Sequence, residues 1–154
     1  MGKTALIATL LLVGLAPIGA SADDHVAVNP DQLKWGPAPP ALPKGAQLAV
    51  LSGDPGKQGL YVIRLKVPAG YKVQPHVHPT DENVTVLSGT FHIGMGDKFD
   101  DKKGTALKAG GFGITPKGMQ HYAWFNEESI IQIHGMGPFA ITYVNPADDP
   151  RKSN

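Results

Sequence analysis

The sequence contains no cysteine. That absence removes disulfides, thiolate metal ligands and thiol nucleophiles from every reading of the chain. An excess of one charge is missing too: 14 Lys and Arg stand against 13 Asp and Glu, a formal net charge of +1. So balanced a chain offers no basic footprint for nucleic acid or for anionic lipid. No segment sustains a 3.6-residue apolar period, and no apolar run reaches the roughly 20 residues that cross a bilayer. What is present is turn chemistry, 19 Gly and 14 Pro, cutting the chain into short pieces.

The first of those pieces reads as a targeting segment. Lys3 precedes the apolar run Ala5 to Leu15, followed by Pro17, Gly19 and the small-x-small triplet Ala20, Ser21, Ala22. A positive start, a short apolar stretch and small residues at the end define a secretory signal peptide, expected over residues 1–22. The expected location is periplasmic or secreted, with no membrane association after cleavage. Losing Lys3 would leave equal numbers of basic and acidic side chains. A new N-terminus at Asp23 would put His25 third, where the amine, two amides and the imidazole can wrap Cu(II) or Ni(II) in a plane.

Residues 23–46 read as a proline-rich arm. Trp35 to Pro43 cannot hold a helix or an interior strand, because prolines lack the N–H and restrict their neighbours. A tether is expected, with Trp35 packed on the body, or an element that docks or swaps in a homodimer. Residues 47–145 form one expected domain and 146–154 a surface tail. Strands are predicted at 47–51, 60–67, 71–74, 83–87, 90–95, 105–107, 112–114, 121–125, 130–135 and 139–144. Many short strands between Gly and Pro turns indicate an all-β antiparallel sandwich or barrel.

Against that background four side chains stand out. His76 and His78 are two apart on a predicted strand and so share a face. Glu82 follows the turn Pro79, Thr80, Asp81, and His121 opens a later strand after Pro116, Lys117 and Gly118. Three imidazoles and a carboxylate suit one divalent first-row metal with open positions for water or substrate. An inward Glu82 without a partner would be costly, and a cation removes the cost. Glu82 is also the candidate base. Gln132 and His134 share one face of a late strand, opposite Ile131 and Ile133; if the polar pair faces inward, His134 is a second acid–base candidate. His92 is ambiguous. Tyr61, Tyr71, Phe112, Tyr122, Trp124 and Phe139 read as core or rim, and Met119 as a pocket-lining candidate.

The same residues resemble the cupin superfamily. Its first motif is Gly, five residues, His-x-His, three or four residues, Glu, six residues, Gly; Gly70, His76, His78, Glu82 and Gly89 match it throughout. Its second is Gly, five residues, Pro-x-Gly, two residues, His, three residues, Asn; Gly110, Pro116, Gly118 and His121 match, whereas Phe125 stands at the Asn position. The resemblance covers roughly residues 47–144. It implies an antiparallel cupin β-barrel (a jelly-roll-like double-stranded β-helix) holding one Fe, Mn, Ni, Cu or Zn ion on His76, His78, Glu82 and His121. Two functions are compatible with it: a dioxygenase-like oxidoreductase acting on a small oxygen-ligand organic substrate, or a non-catalytic metal- or small-ligand-binding, sensory protein. The carboxylate argues against the three-histidine thiol dioxygenase branch.

Overall fold

Alternation between apolar and polar residues from Gln47 onward does what a two-residue period requires, placing one set of side chains between two sheets. The computed structural model describes residues 25–152. The expected signal peptide over 1–22, and Asp23 and Asp24 of the expected new N-terminus, lie outside the described residues. The strands are β1 (Gly36–Pro37), β2 (Gln47–Ser52), β3 (Gly59–Val67), β4 (Lys72–Val77), β5 (Glu82–Ser88) and β6 (Thr90–Met95). They continue with β7 (Thr105–Lys108), β8 (Phe112–Thr115), β9 (His121–Trp124), β10 (Ser129–Gly137) and β11 (Thr142–Tyr143).

All pairings are antiparallel. One sheet has the order β1-β2-β3-β10-β5-β8, the other β11-β4-β9-β6-β7. The all-β antiparallel expectation therefore holds, but the expected β-barrel does not. Each sheet ends in unpaired edges, β1 and β8 in the first, β11 and β7 in the second, so no ladder runs around the molecule. The chain passes between sheets through tight turns at Pro79–Asp81, at Gly89 and at Pro138–Ile141, where prolines and bends interrupt the hydrogen bonding that closure needs.

The turn at Gly89 shows how the crossing is made. Sequence alone suggests a hairpin there, yet β5 and β6 belong to different sheets. Gly89 adopts φ 71°, and a Cβ at this position would collide with the Ser129 hydroxyl. Only glycine fits both the left-handed backbone and the space. Ser129 itself is fully buried and bonds Thr90 and Glu127 across the corner.

Between the sheets, Tyr61, Ile63, Val84, Val86, Ile131 and Ile133 face Val73, Phe91, Ala123 and Tyr143 in one core. Each large apolar side chain there contributes about 1.5–3 kcal/mol relative to exposure. β9 is buried on both faces. His121 and Ala123 point inward, while Tyr122 and Trp124 are covered from outside by Phe99, whose ring lies 5.0 and 5.9 Å from theirs. The Tyr122 hydroxyl donates to the carbonyls of Asp100 and Lys103, pinning that covering loop.

The arm is not a loose tether. β1 adds to the edge of the first sheet beside β2, and Lys66 sits 5.2 Å from the Trp35 ring, as packing on the body requires. Leu42 is buried in the core. The strand expected over 139–144 is reduced to Thr142–Tyr143, because after Pro138 the Phe139 amide bonds the Pro55 carbonyl instead of a ladder.

Candidate metal centre

His76 and His78 do share a face, but a bulge decides which one. Val73 and His76 both point inward although they are three positions apart, an odd offset that a regular strand forbids. The register between β4 and β9 shifts between Val73 and His76. The extra residue at Gln74–Pro75 turns the strand by half a period, and Pro75, lacking an N–H, fits a break in the ladder. His76 is then directly opposite His121 on β9.

Glu82 arrives from the other side. Sequence spacing suggested one strand pair carrying both histidines and the glutamate, but β4 and β5 are in different sheets. Three imidazoles from the five-stranded side thus face a carboxylate from the six-stranded side. All four residues are buried. One nitrogen from each of His76, His78 and His121 lies within 4.8 Å of the others. Glu82 falls outside that tight group, yet its oxygens lie 3.5 Å from His78 Nε2 and 3.5 Å from His121 Nε2.

Protons are distributed by the backbone. His76 Nδ1 donates to the Gln74 carbonyl at 2.7 Å, His78 Nδ1 to Ala140 at 2.8 Å and His121 Nδ1 to Met119 at 3.0 Å. A carbonyl oxygen can only accept, so each Nδ1 must carry the hydrogen. A neutral ring then has a bare lone pair on Nε2, the atom facing the interior. His78 Nε2 is buried with no hydrogen-bond partner, and it looks across 3.5 Å at a carboxylate oxygen, also a donor of electron pairs. Two lone-pair donors held this close inside an apolar cavity call for a cation between them. The residues present therefore fit a divalent metal.

Electrostatics agree with that geometry. Burial, then the neighbouring His121 and His78, drives His76 down to about 3, so its ring stays neutral. For Glu82, burial pushes upward, but the neighbouring His121, His78 and His76 outweigh it. Its carboxyl is held below the ordinary range and remains ionised.

The cavity around the cluster is small, about 40 Å³, and otherwise apolar. Phe139 stacks on His78, ring centres 5.4 Å apart. Phe125 stands where the second motif has Asn; it is buried and lines the cavity, packing on Tyr71 and Phe91. Its amide and carbonyl bond Tyr71 and Gly70, joining the end of the second motif to the start of the first.

His134 is placed elsewhere. Ile131 and Ile133 point inward, so Gln132 and His134 lie on the outer face. There Gln132 accepts from Arg64, and Phe112 stacks near His134 at 6.4 Å. His92 also faces away from the cavity, stacked on Trp124 at 4.9 Å. Met119 is largely exposed, and its contribution is the carbonyl that holds His121. Sequence reasoning missed Leu42 and the three anchoring carbonyls; backbone acceptors leave no residue-type signal, and Leu42 hid among prolines.

Comparison with known families settles the lineage. The profile of the ChrR cupin-like domain matches residues 23–140. The chain belongs to this cupin-like family. Among curated proteins, no match to this cupin-like chain was found. Solved structures share its fold. An acetylacetone dioxygenase from Acinetobacter johnsonii superposes with TM-score 0.62 at 17% identity, covering 88% of this chain and 87% of that one. The polyketide cyclase RemF from Streptomyces resistomycificus gives TM-score 0.64 at 16% identity, over 82% and 90% of the two chains. An RmlC-like cupin from Shewanella frigidimarina gives 0.58 at 18% identity, over 74% and 91%. The residues that these sheets bring together here are those of a small single-domain cupin with a buried three-histidine cluster.

Proposed function

We propose that this cupin-like protein holds one divalent transition metal on His76, His78 and His121, with Glu82 completing the set, and acts as a dioxygenase-like oxidoreductase on a small oxygen-donor organic molecule. The observation that carries the metal reading is the unpartnered His78 Nε2 facing the buried Glu82 carboxyl group at 3.5 Å. When bound, the metal supplies Lewis-acid polarisation of a donor oxygen and a place for redox chemistry.

The chain's own groups define the rest. The Nδ1 bonds to Gln74, Ala140 and Met119 fix ring orientation before any ligand arrives, so little ordering is required on binding. Glu82 is the acid–base group of the cavity, an ionised carboxylate able to accept a proton from an acidic carbon or hydroxyl at its own oxygens. The tyrosines do not compete for that role. Tyr71 and Tyr143 donate their hydroxyls to the Pro43 and Ala41 carbonyls, and burial holds Tyr143 up at about 12. The apolar walls exclude water and favour a compact substrate whose polarity is confined to the atoms that meet the metal. Structural likeness to an acetylacetone dioxygenase supports small β-diketones as the first substrates to try. Export to the periplasm or beyond is part of the proposal and rests on the residues 1–22 pattern.

The test is metal content of the protein taken from its native compartment, with oxygen uptake measured against β-diketones, catechols and flavonols. Metal-dependent oxygen consumption lost in His76→Ala supports the enzyme. Tight metal with no turnover on any of them would instead make this a binding or sensory protein.

A further inference from the structure

Every residue lining the metal cavity is buried except Phe139, which is partly buried. So narrow a cavity takes a ligand larger than water only when part of its wall moves, and two irregular segments supply part of that wall. One is residues 138–141. Moving it would pull the Ala140 carbonyl from His78 Nδ1 and unstack Phe139 from the same ring, spoiling the site it exposes. The other is the arm. Leu42 is buried and lines the cavity together with the three histidines. Pro39, Pro40 and Pro43 lack the N–H groups a ladder would need. Between Pro39 and Pro43 the hydrogen bonds to the sheets come from two side chains, Tyr71 to the Pro43 carbonyl at 2.8 Å and Tyr143 to the Ala41 carbonyl at 2.8 Å. These flank Leu42 on either side. The Leu42 amide bonds within the arm, to the Pro39 carbonyl at 2.9 Å. Lifting the arm breaks the two latches and leaves all three Nδ1 anchors intact.

We propose that residues 38–43 are a removable plug latched by Tyr71 and Tyr143, and that Leu42 sets the size of the ligand the metal cavity accepts. This rests on the metal reading above. It assigns the proline-rich arm a specificity role in its own chain. Tyr71 and Tyr143 are positioning residues, acting through the arm rather than on the substrate.

The test separates the plug from the metal. In the full chain, Tyr71→Phe with Tyr143→Phe should speed both Co(II) entry and its removal by a chelator roughly tenfold, since two hydrogen bonds holding the cover are gone. The Co(II) dissociation constant should stay unchanged, because no ligand is touched. Unchanged rates in that variant, with rates raised in Phe139→Ala, would overturn the proposal and make 138–141 the gate. A second readout needs no metal. Leu42→Ala, or the milder Leu42→Val if alanine prevents folding, should take up benzene, followed by NMR shifts of core methyls, while the wild-type chain takes none. Equal benzene uptake by both, or by neither, would remove Leu42 as the size-setting residue. If the wild type took up no Co(II), the metal reading would fall. The plug would still stand or fall on benzene and on amide exchange at Leu42, which the double variant should accelerate about tenfold without affecting Ala123.

Discussion

At the scale of single residues, the site is defined by where protons cannot go. Three carbonyl oxygens occupy the Nδ1 hydrogens of His76, His78 and His121, so the opposite nitrogens are committed as acceptors. Glu82→Gln keeps the shape of the fourth group and removes its charge. Metal affinity should fall on the order of 10–100-fold by titration, the scale seen when a group tuning a metal is lost. His134→Ala touches only the outer face and should leave that affinity within about twofold, as surface substitutions do. An effect of His134→Ala as large as that of Glu82→Gln would contradict the placement of its strand. The ligand residues were readable in the sequence because His-x-His on a strand and an inward carboxylate are both residue-type signals. The anchors were not, since any residue supplies a carbonyl. The inward choice between Ile133 and His134 was left open by alternation, which sorts residues into two sets without naming the inner one. Packing made the choice, by burying the apolar pair.

At the scale of elements, turns carry as much information as strands. Strand positions were legible almost throughout, because the Gly and Pro punctuation is local. Which strands pair was not, because Ser88–Gly89 reads as a hairpin and is instead a passage between sheets. The deciding fact is three-dimensional: Ser129 fills the space beside Gly89. Gly89→Ala combines a positive φ with a steric conflict and should lower stability by about 1–3 kcal/mol in urea unfolding. A neutral result would mean the corner is far softer than its packing. At the other end, the short turn at Asp149 and Arg151 ties the tail to the cavity wall, with Arg151 also reaching the Ile141 carbonyl. The Asp149 carboxyl is held below its ordinary value, chiefly by the hydrogen bond from Arg151 with burial opposing. The folded chain therefore binds this proton less readily than the unfolded chain. The resulting stabilisation is present above about pH 4 and is lost as pH falls through the lowered value. Asp149→Asn should unfold more easily than wild type near neutrality and match it at the acid end of a pH series.

At the scale of the whole molecule, the site is a junction. Glu82 belongs to one sheet, His76 and His121 to strands of the other with His78 just beyond β4, so a bound ion would hold the two layers together. Binding only to the folded state shifts unfolding by mass action, about 2.7 kcal/mol at a metal concentration 100 times the dissociation constant. For a domain of this size that corresponds to a rise in melting temperature of roughly 10 °C, seen by calorimetry with and without a chelator. No shift with any first-row divalent ion would dismiss the centre. The open architecture was the part least legible in the sequence. Cupin motifs locate the ligands, but the closing of a ladder depends on edge strands as short as β1 and β11, and no motif records them.

Those open edges bear on solubility. β8 ends one sheet, and Phe112 and Ile114 on it are more than half exposed, at 52% and 54%. A strand with one unpaired edge and exposed apolar side chains is a template for another chain. Its length of four residues, the glycine within it and Pro116 just beyond limit how far such a zipper could run. At high concentration this margin, rather than the core, is where self-association would start. Phe112→Lys should raise the concentration at which light scattering appears while leaving metal affinity unaltered.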